Sequence, residues 1–207
     1  QRIYKGHDLG WYQAEPADLG ELEIPECVCV VCCTGRNSPR KGYDVLIDAF
    51  CKLPDDIEAH LILVGDMAEN KDLRAQAEST NRSARIHFTG FRRDAPAIAA
   101  ASNVFVLPST EREGLPRAVI EAMAYGVAPV VTSVGGMPEL VEDGASGLVV
   151  APDHSQALAS ALERLYRDGS LLRQLGLAAR ERIAADFHTS QTVQQTGELY
   201  NALTGRF

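Results

Sequence analysis

No apolar run in this sequence approaches the roughly 20 positions that a membrane-spanning helix needs. Basic residues are scarce relative to acidic ones: 20 Lys and Arg against 28 Asp and Glu, a formal net charge of −8. That balance argues against non-specific binding to nucleic acid or to an anionic membrane, though it leaves room for a local basic pocket. The five histidines lie far apart, with no His-x3-His spacing and no paired carboxylate, and Gly65-Asp66 is not part of an Asp-x-Asp motif, so no metal site is expected. A Gly-x-Gly-x-x-Gly fingerprint is missing after the first strand-like run, and Lys41 is followed by Gly42 rather than Ser or Thr, which rules out a Walker A loop. Internal repeats, low-complexity segments and a recognisable signal peptide are also lacking. The chain begins at Gln1 rather than Met, and a piece of a longer protein is the expectation.

What is present is one α/β domain spanning 1–207, 45% hydrophobic and 23% charged, long enough for a full core. Four of the five cysteines fall within Cys27-Val-Cys-Val-Val-Cys-Cys33, and the fifth is Cys51. Cys29-x2-Cys32 has no second ligand pair at zinc-finger spacing, so buried thiols in a first core strand are expected, as suits a reducing cytoplasm. Strand-like and amphipathic segments alternate, which is the pattern of a parallel sheet covered by helices. Strands are expected at 28–33, 60–64, 85–89, 104–107, 127–132 and 147–150. Helices are expected near 43–53, 71–80, 95–101, 118–125, 155–167, 170–185 and 189–203.

In such sheets ligands bind at the carboxyl ends of the strands. Those ends carry Gly35-Arg36, Gly65-Asp66, Thr89-Gly90-Phe91, Ser109 to Gly114, and Ser133 to Gly136. Tight turns would explain any one of these glycines; the shared edge is the stronger observation. Arg36 and Lys41, five apart on one loop, can hold a diphosphate from two sides, a planar fork opposite a compact charge. Taken alone, two exposed cations are the plainer reading. The segment Glu113-Gly-Leu-Pro-Arg-Ala-Val-Ile-Glu121 sets two carboxylates seven residues apart across a helix start, with Pro116 expected at the first helical position. Glu121 should then lie about 8 Å along the helix axis from its start. An isolated pair of this kind equally describes a helix cap and a solvated glutamate.

With Ala122-Met-Ala following and Gly135-Gly136-x-Pro-Glu139 beyond, this motif resembles the retaining glycosyltransferases of family four, which have the GT-B fold. The resemblance runs from about Tyr4 to the C-terminus. It implies a Rossmann-like three-layer domain with a parallel sheet, one half of a GT-B fold, binding a nucleotide diphosphate sugar of UDP, GDP or ADP type. Arg36 and Lys41 would neutralise the leaving diphosphate, Glu113 would meet the sugar at the reacting face, and Glu121 would take the ribose hydroxyls. Gly35, Gly114 and Leu115 would line the site, and Thr89, Gly90 and Phe91 would cradle the base, with Phe91 or Arg92 stacking on it; a phenylalanine at the core edge is the alternative. Arg117 stands where many relatives have an apolar residue. No cofactor or metal is implied.

The segment 1–20 resembles an inter-domain crossing, with Lys5 replacing the usual Asn. The segment 187–207 resembles the helix that packs towards an N-terminal acceptor domain, exposing Val193, Leu199, Tyr200 and Leu203 when alone. The implied parent transfers a sugar to a hydroxyl with retention, as in bacterial lipopolysaccharide or other surface polysaccharide synthesis. It would work in the cytoplasm, with a peripheral association at the inner face of the membrane. The isolated domain would be inactive without its other half. The alternatives are a GT-B nucleotide-sugar epimerase, a phosphorylase, which would need a cofactor lysine and for which Lys41, Lys52 and Lys71 lack a supporting motif, and a non-catalytic nucleotide-binding module. A dinucleotide-dependent oxidoreductase is disfavoured by the missing glycine fingerprint.

Overall fold

The computed structural model describes residues 2–205. Six strands, β1 (Cys29–Thr34), β2 (Ala59–Val64), β3 (Ile86–Gly90), β4 (Val104–Leu107), β5 (Ala128–Thr132) and β6 (Leu148–Val150), form one all-parallel sheet in the order β3-β2-β1-β4-β5-β6. The central strands are apolar throughout because both faces are covered. Side chains alternate between those faces. Val31, Cys33, Leu61 and Leu63 pack under α1 (Tyr43–Cys51), α2 (Lys71–Glu78) and α6 (Ser155–Arg167). Val30, Cys32, Ile62 and Val64 pack with α3 (Ala95–Ala100), α4 (Arg117–Ala124), α5 (Met137–Leu140) and the later part of α7 (Gly169–Asp186). The chain builds outward from β1 to β3, then returns to the other side of β1 with β4. Its direction of travel thus reverses between β1 and β4, the position where open α/β sheets take their ligands.

The two ends of the described chain meet. His7 N–H donates to the Phe187 carbonyl at 2.7 Å, and Thr192 Oγ1 donates to the Tyr4 carbonyl at 2.7 Å. The Tyr4 and Phe187 rings lie 5.4 Å apart. Helix α8 (Thr189–Thr204) buries none of its residues and exposes Val193, Tyr200 and Leu203, while Leu199 is half-buried. Among the described residues, no helix is long and apolar enough to cross a membrane.

Two local expectations need correction. Cys27 is exposed and precedes β1 in a left-handed backbone conformation, so it is not a core thiol; Cys29 and Cys51 are half-buried, and only Cys32 and Cys33 are sealed. Burial pushes the Cys32 thiol up to about 12. Pro116 is extended (ψ 122°) and precedes α4 rather than opening it. The histidines His60 and His87 are strand residues as expected, but they also pair, Nδ1 to Nε2 at 2.8 Å, with stacked rings. Burial lowers the pKa of both.

Candidate functional site

Two loops meet over the β1–β4 reversal. The loop after β1 contains a single 3-10 turn, Pro39–Lys41, and leads into α1. The loop after β4 runs from Pro108 to Pro116. Thr110 N–H donates to the Arg40 carbonyl at 2.9 Å, joining the two backbones. Across this junction Lys41 Nζ forms an ion pair with Glu113 Oε1, and Ser109 Oγ donates to the same oxygen at 3.1 Å. The two charged side chains are only 17% and 12% exposed, so water screens them far less than an ordinary surface pair. Ser109 is itself held, its carbonyl accepting from the buried Thr132 hydroxyl at the end of β5.

The loop after β5 supports Glu113 from below. Gly136 N–H donates to the Glu113 carbonyl at 3.0 Å. Gly135 has φ +57°, and a Cβ there would lie 1.8 Å from that carbonyl oxygen, so only glycine fits. Gly114 passes over Gly136, and Leu115 is half-buried against the core on the α4 side. The motif read from sequence, Glu113 followed by Gly135-Gly136, is therefore one packed unit.

On the other side, the ends of β1, β2 and β3 lie edge to edge. Gly35 N–H donates to the Val64 carbonyl at 3.0 Å, and Gly65 N–H to the Gly90 carbonyl at 2.8 Å. A Cβ on Gly65 would meet the Gly35 carbonyl oxygen at 1.9 Å. The Arg36–Asn37 peptide is fixed from two directions: Tyr43 Oη donates to the Arg36 carbonyl at 3.0 Å, and Asp66 accepts from Asn37 N–H. Burial, reinforced by nearby Cys33, Asp66 and Glu113, raises the pKa of the Tyr43 phenol, so it stays a donor.

A cleft of about 430 Å³ opens here, lined by Gly35, Arg36, Gly65, Asp66, Phe91 and Arg92 among others. Phe91 is 81% exposed, so it is not a core-edge residue. Arg92 is tied to Asp94 and Glu21. Thr89 turns its hydroxyl towards the Leu63 carbonyl, 3.4 Å away. Arg36 is exposed.

Glu121 sits in the second turn of α4 and bonds Arg117 Nε at 2.8 Å. Its side chain is 19% exposed while that of Arg117 is 80% exposed. Tyr12 and Tyr125 lie alongside, each with its phenol pKa raised first by burial and further by Glu121. His7 is lowered, first by burial and then by Lys5 and Arg117. Glu139 binds Tyr4 and Arg2, which hold its carboxyl below the usual range, so it anchors the N-terminal segment. Among the described residues, no group of three or more His, Cys, Asp or Glu side chains is placed to hold a metal ion.

The structure thus joins Lys41 to Glu113 directly and places Gly35, Arg36 and Phe91 on one cleft. Glu121 stands apart on its helix with its own cation. Sequence reasoning did not anticipate the supporting roles of Tyr43, Asp66 and Ser109. The signal available for Asp66 was its place just after Gly65 at a strand end.

A parallel sheet that reverses beside its central strand, with cations and carboxylates gathered over the reversal, defines a Rossmann-like α/β domain. The chain belongs to the family described as Glycosyl transferases group 1, which matches residues 16–182. It is 32% identical over 170 residues to the lipopolysaccharide core biosynthesis glycosyltransferase LpsE of Rhizobium meliloti, covering 82% of this chain and 49% of that protein. The Anabaena protein Alr3699/HepE, solved in complex with UDP-glucose, superposes with a TM-score of 0.86 at 31% identity, over 97% of this chain and 57% of that one. The C-terminal domain of the group 1 family protein LpcC from Francisella tularensis shares the fold, with a TM-score of 0.77 at 24% identity, covering 88% of this chain and 99% of that domain. The chain spans about half the length of the curated relatives it matches. The fold is accordingly that of one half of a GT-B glycosyltransferase.

Proposed function

We propose that this chain is the donor-binding half of a glycosyltransferase that moves a sugar from a nucleotide diphosphate to a hydroxyl acceptor with retention of configuration. Lipopolysaccharide or another surface polysaccharide is the proposed product class, in keeping with the LpsE relationship. The single observation that carries the reading is the Lys41–Glu113 pair, water-poor and seated over the strand reversal. Lys41 and Arg36 receive the diphosphate, and the first turn of α4 adds backbone N–H groups to it. Cleavage of the sugar–phosphate bond builds negative charge on the leaving phosphate, which these groups stabilise. Glu113 faces the sugar, Glu121 accepts from the ribose hydroxyls, and Thr89, Gly90 and Phe91 border the base, with Gly114 and Leu115 shaping the floor. No metal or cofactor takes part. Most of the acceptor site is supplied by an N-terminal domain of the parent, to which the N-terminal segment is the linker and towards which α8 packs. The parent works in the cytoplasm at the inner face of the membrane, and this half alone does not turn over.

Calorimetric titration with UDP, GDP and ADP, each with and without magnesium, tests this. One nucleotide should bind without metal, and Arg36→Ala and Lys41→Ala should each weaken it about tenfold or more. Binding untouched by both substitutions would reject the site. No binding of any nucleotide to a chain that melts cooperatively would reject the donor-domain reading.

A further inference from the structure

Glu113 has a second partner to reckon with before it can meet a sugar. Its Oε1 carries both the Lys41 ammonium and the Ser109 hydroxyl, and the Lys41 end of the pair lies on the loop that also presents Arg36. Resting on the donor-site reading above, we propose that Glu113 is a specificity-determining residue that makes the site favour an intact nucleotide sugar over the free nucleoside diphosphate, because its carboxylate and the diphosphate compete for Lys41.

Seating a diphosphate on Lys41 draws the ammonium away from Glu113. The carboxylate then keeps only the Ser109 hydroxyl, in a pocket where it is 12% exposed. Stripping a partly buried charge of its partner is unfavourable, and the nearby phosphates add like-charge repulsion. An intact donor offsets this, because its sugar hydroxyls donate to the carboxylate that Lys41 has left. A free nucleotide has nothing to offer there. Once the sugar has gone to the acceptor, Glu113 reclaims Lys41, and the nucleotide loses a cation. The same pair therefore helps to expel the product.

The rigid frame makes this competition local. Gly136 N–H on the Glu113 carbonyl and Thr110 N–H on the Arg40 carbonyl hold both backbones, so exchange of partners needs side-chain motion only. Arg117 bonds Glu121 on the next turn of α4, and the cation on Glu113 is Lys41.

The test is calorimetry on wild type and Glu113→Gln, with UDP against UDP-glucose, GDP against GDP-mannose and ADP against ADP-glucose, pursuing the pair whose nucleotide binds. The amide retains an acceptor for Ser109 and removes the charge that competes for Lys41. The free nucleotide should bind Glu113→Gln about five- to tenfold more tightly than wild type, while the nucleotide sugar gains less or loses affinity. Glu113→Ala, which keeps the backbone bonds of this position, should tighten the free nucleotide in the same direction should the amide pack badly. Unchanged or weaker nucleotide binding in both variants would overturn the proposal. Equal tightening of nucleotide and nucleotide sugar would overturn it too, since that reports only a general loss of negative charge. Failure of the wild type to bind any of the three nucleotides would instead reject the donor reading itself.

Discussion

The two glutamates of one short motif are similarly shielded, at 12% and 19% exposure, and differ in the partners they hold. Glu113 is paired to a lysine 72 residues away, in a junction of three loops where both side chains are nearly sealed. Glu121, on the following helix, is paired to an arginine four residues away whose side chain lies 80% in solvent. The first pair exists only because the sheet reverses there and brings the ends of β1 and β4 together. The second would form on an isolated helix. A nonlocal, desolvated pair can influence which ligand enters, because breaking it strands a charge; a local exposed pair is worth a few tenths of a kcal/mol.

Breaking the support under the first pair should have the largest effect. Gly135→Ala forces a left-handed residue to carry a Cβ into the Glu113 carbonyl, and should cost about 3 kcal/mol or more in urea denaturation. A loss below about 1 kcal/mol would mean that the three loops are not packed as one unit. Breaking the second pair should do far less. Arg117→Ala should lower stability by under about 0.5 kcal/mol in the same assay. A loss above about 1.5 kcal/mol would erase the distinction between the two pairs.

This contrast also marks what could be read in advance. The six strands were legible because parallel strands covered on both faces are written as uninterrupted apolar runs such as Val104-Phe-Val-Leu107. Each expected strand boundary lies within one residue of its observed position. The carboxyl-edge placement of Gly35, Gly65 and Gly90 followed from where the apolar runs end. Which cation meets which carboxylate did not, because pairing across 72 residues depends on loop packing that no local periodicity records. Tyr43 illustrates the same limit. In sequence it is the first residue of an amphipathic helix; in the fold its hydroxyl reaches back to fix the Arg36 carbonyl. Arg82 is similar, a charged residue buried to 4% exposure whose guanidinium serves the Leu53, Pro54 and Ile57 carbonyls.

The most direct measurement is a crystal structure of the chain with the nucleoside diphosphate that it binds most tightly. The expected result places phosphate oxygens within hydrogen-bond reach of Lys41 Nζ, with the Lys41–Glu113 pair opened, and puts the ribose hydroxyls on Glu121. A nucleotide bound elsewhere would contradict the assignment of the site, and one bound at this edge with Lys41 still on Glu113 would contradict the exchange of partners proposed for it.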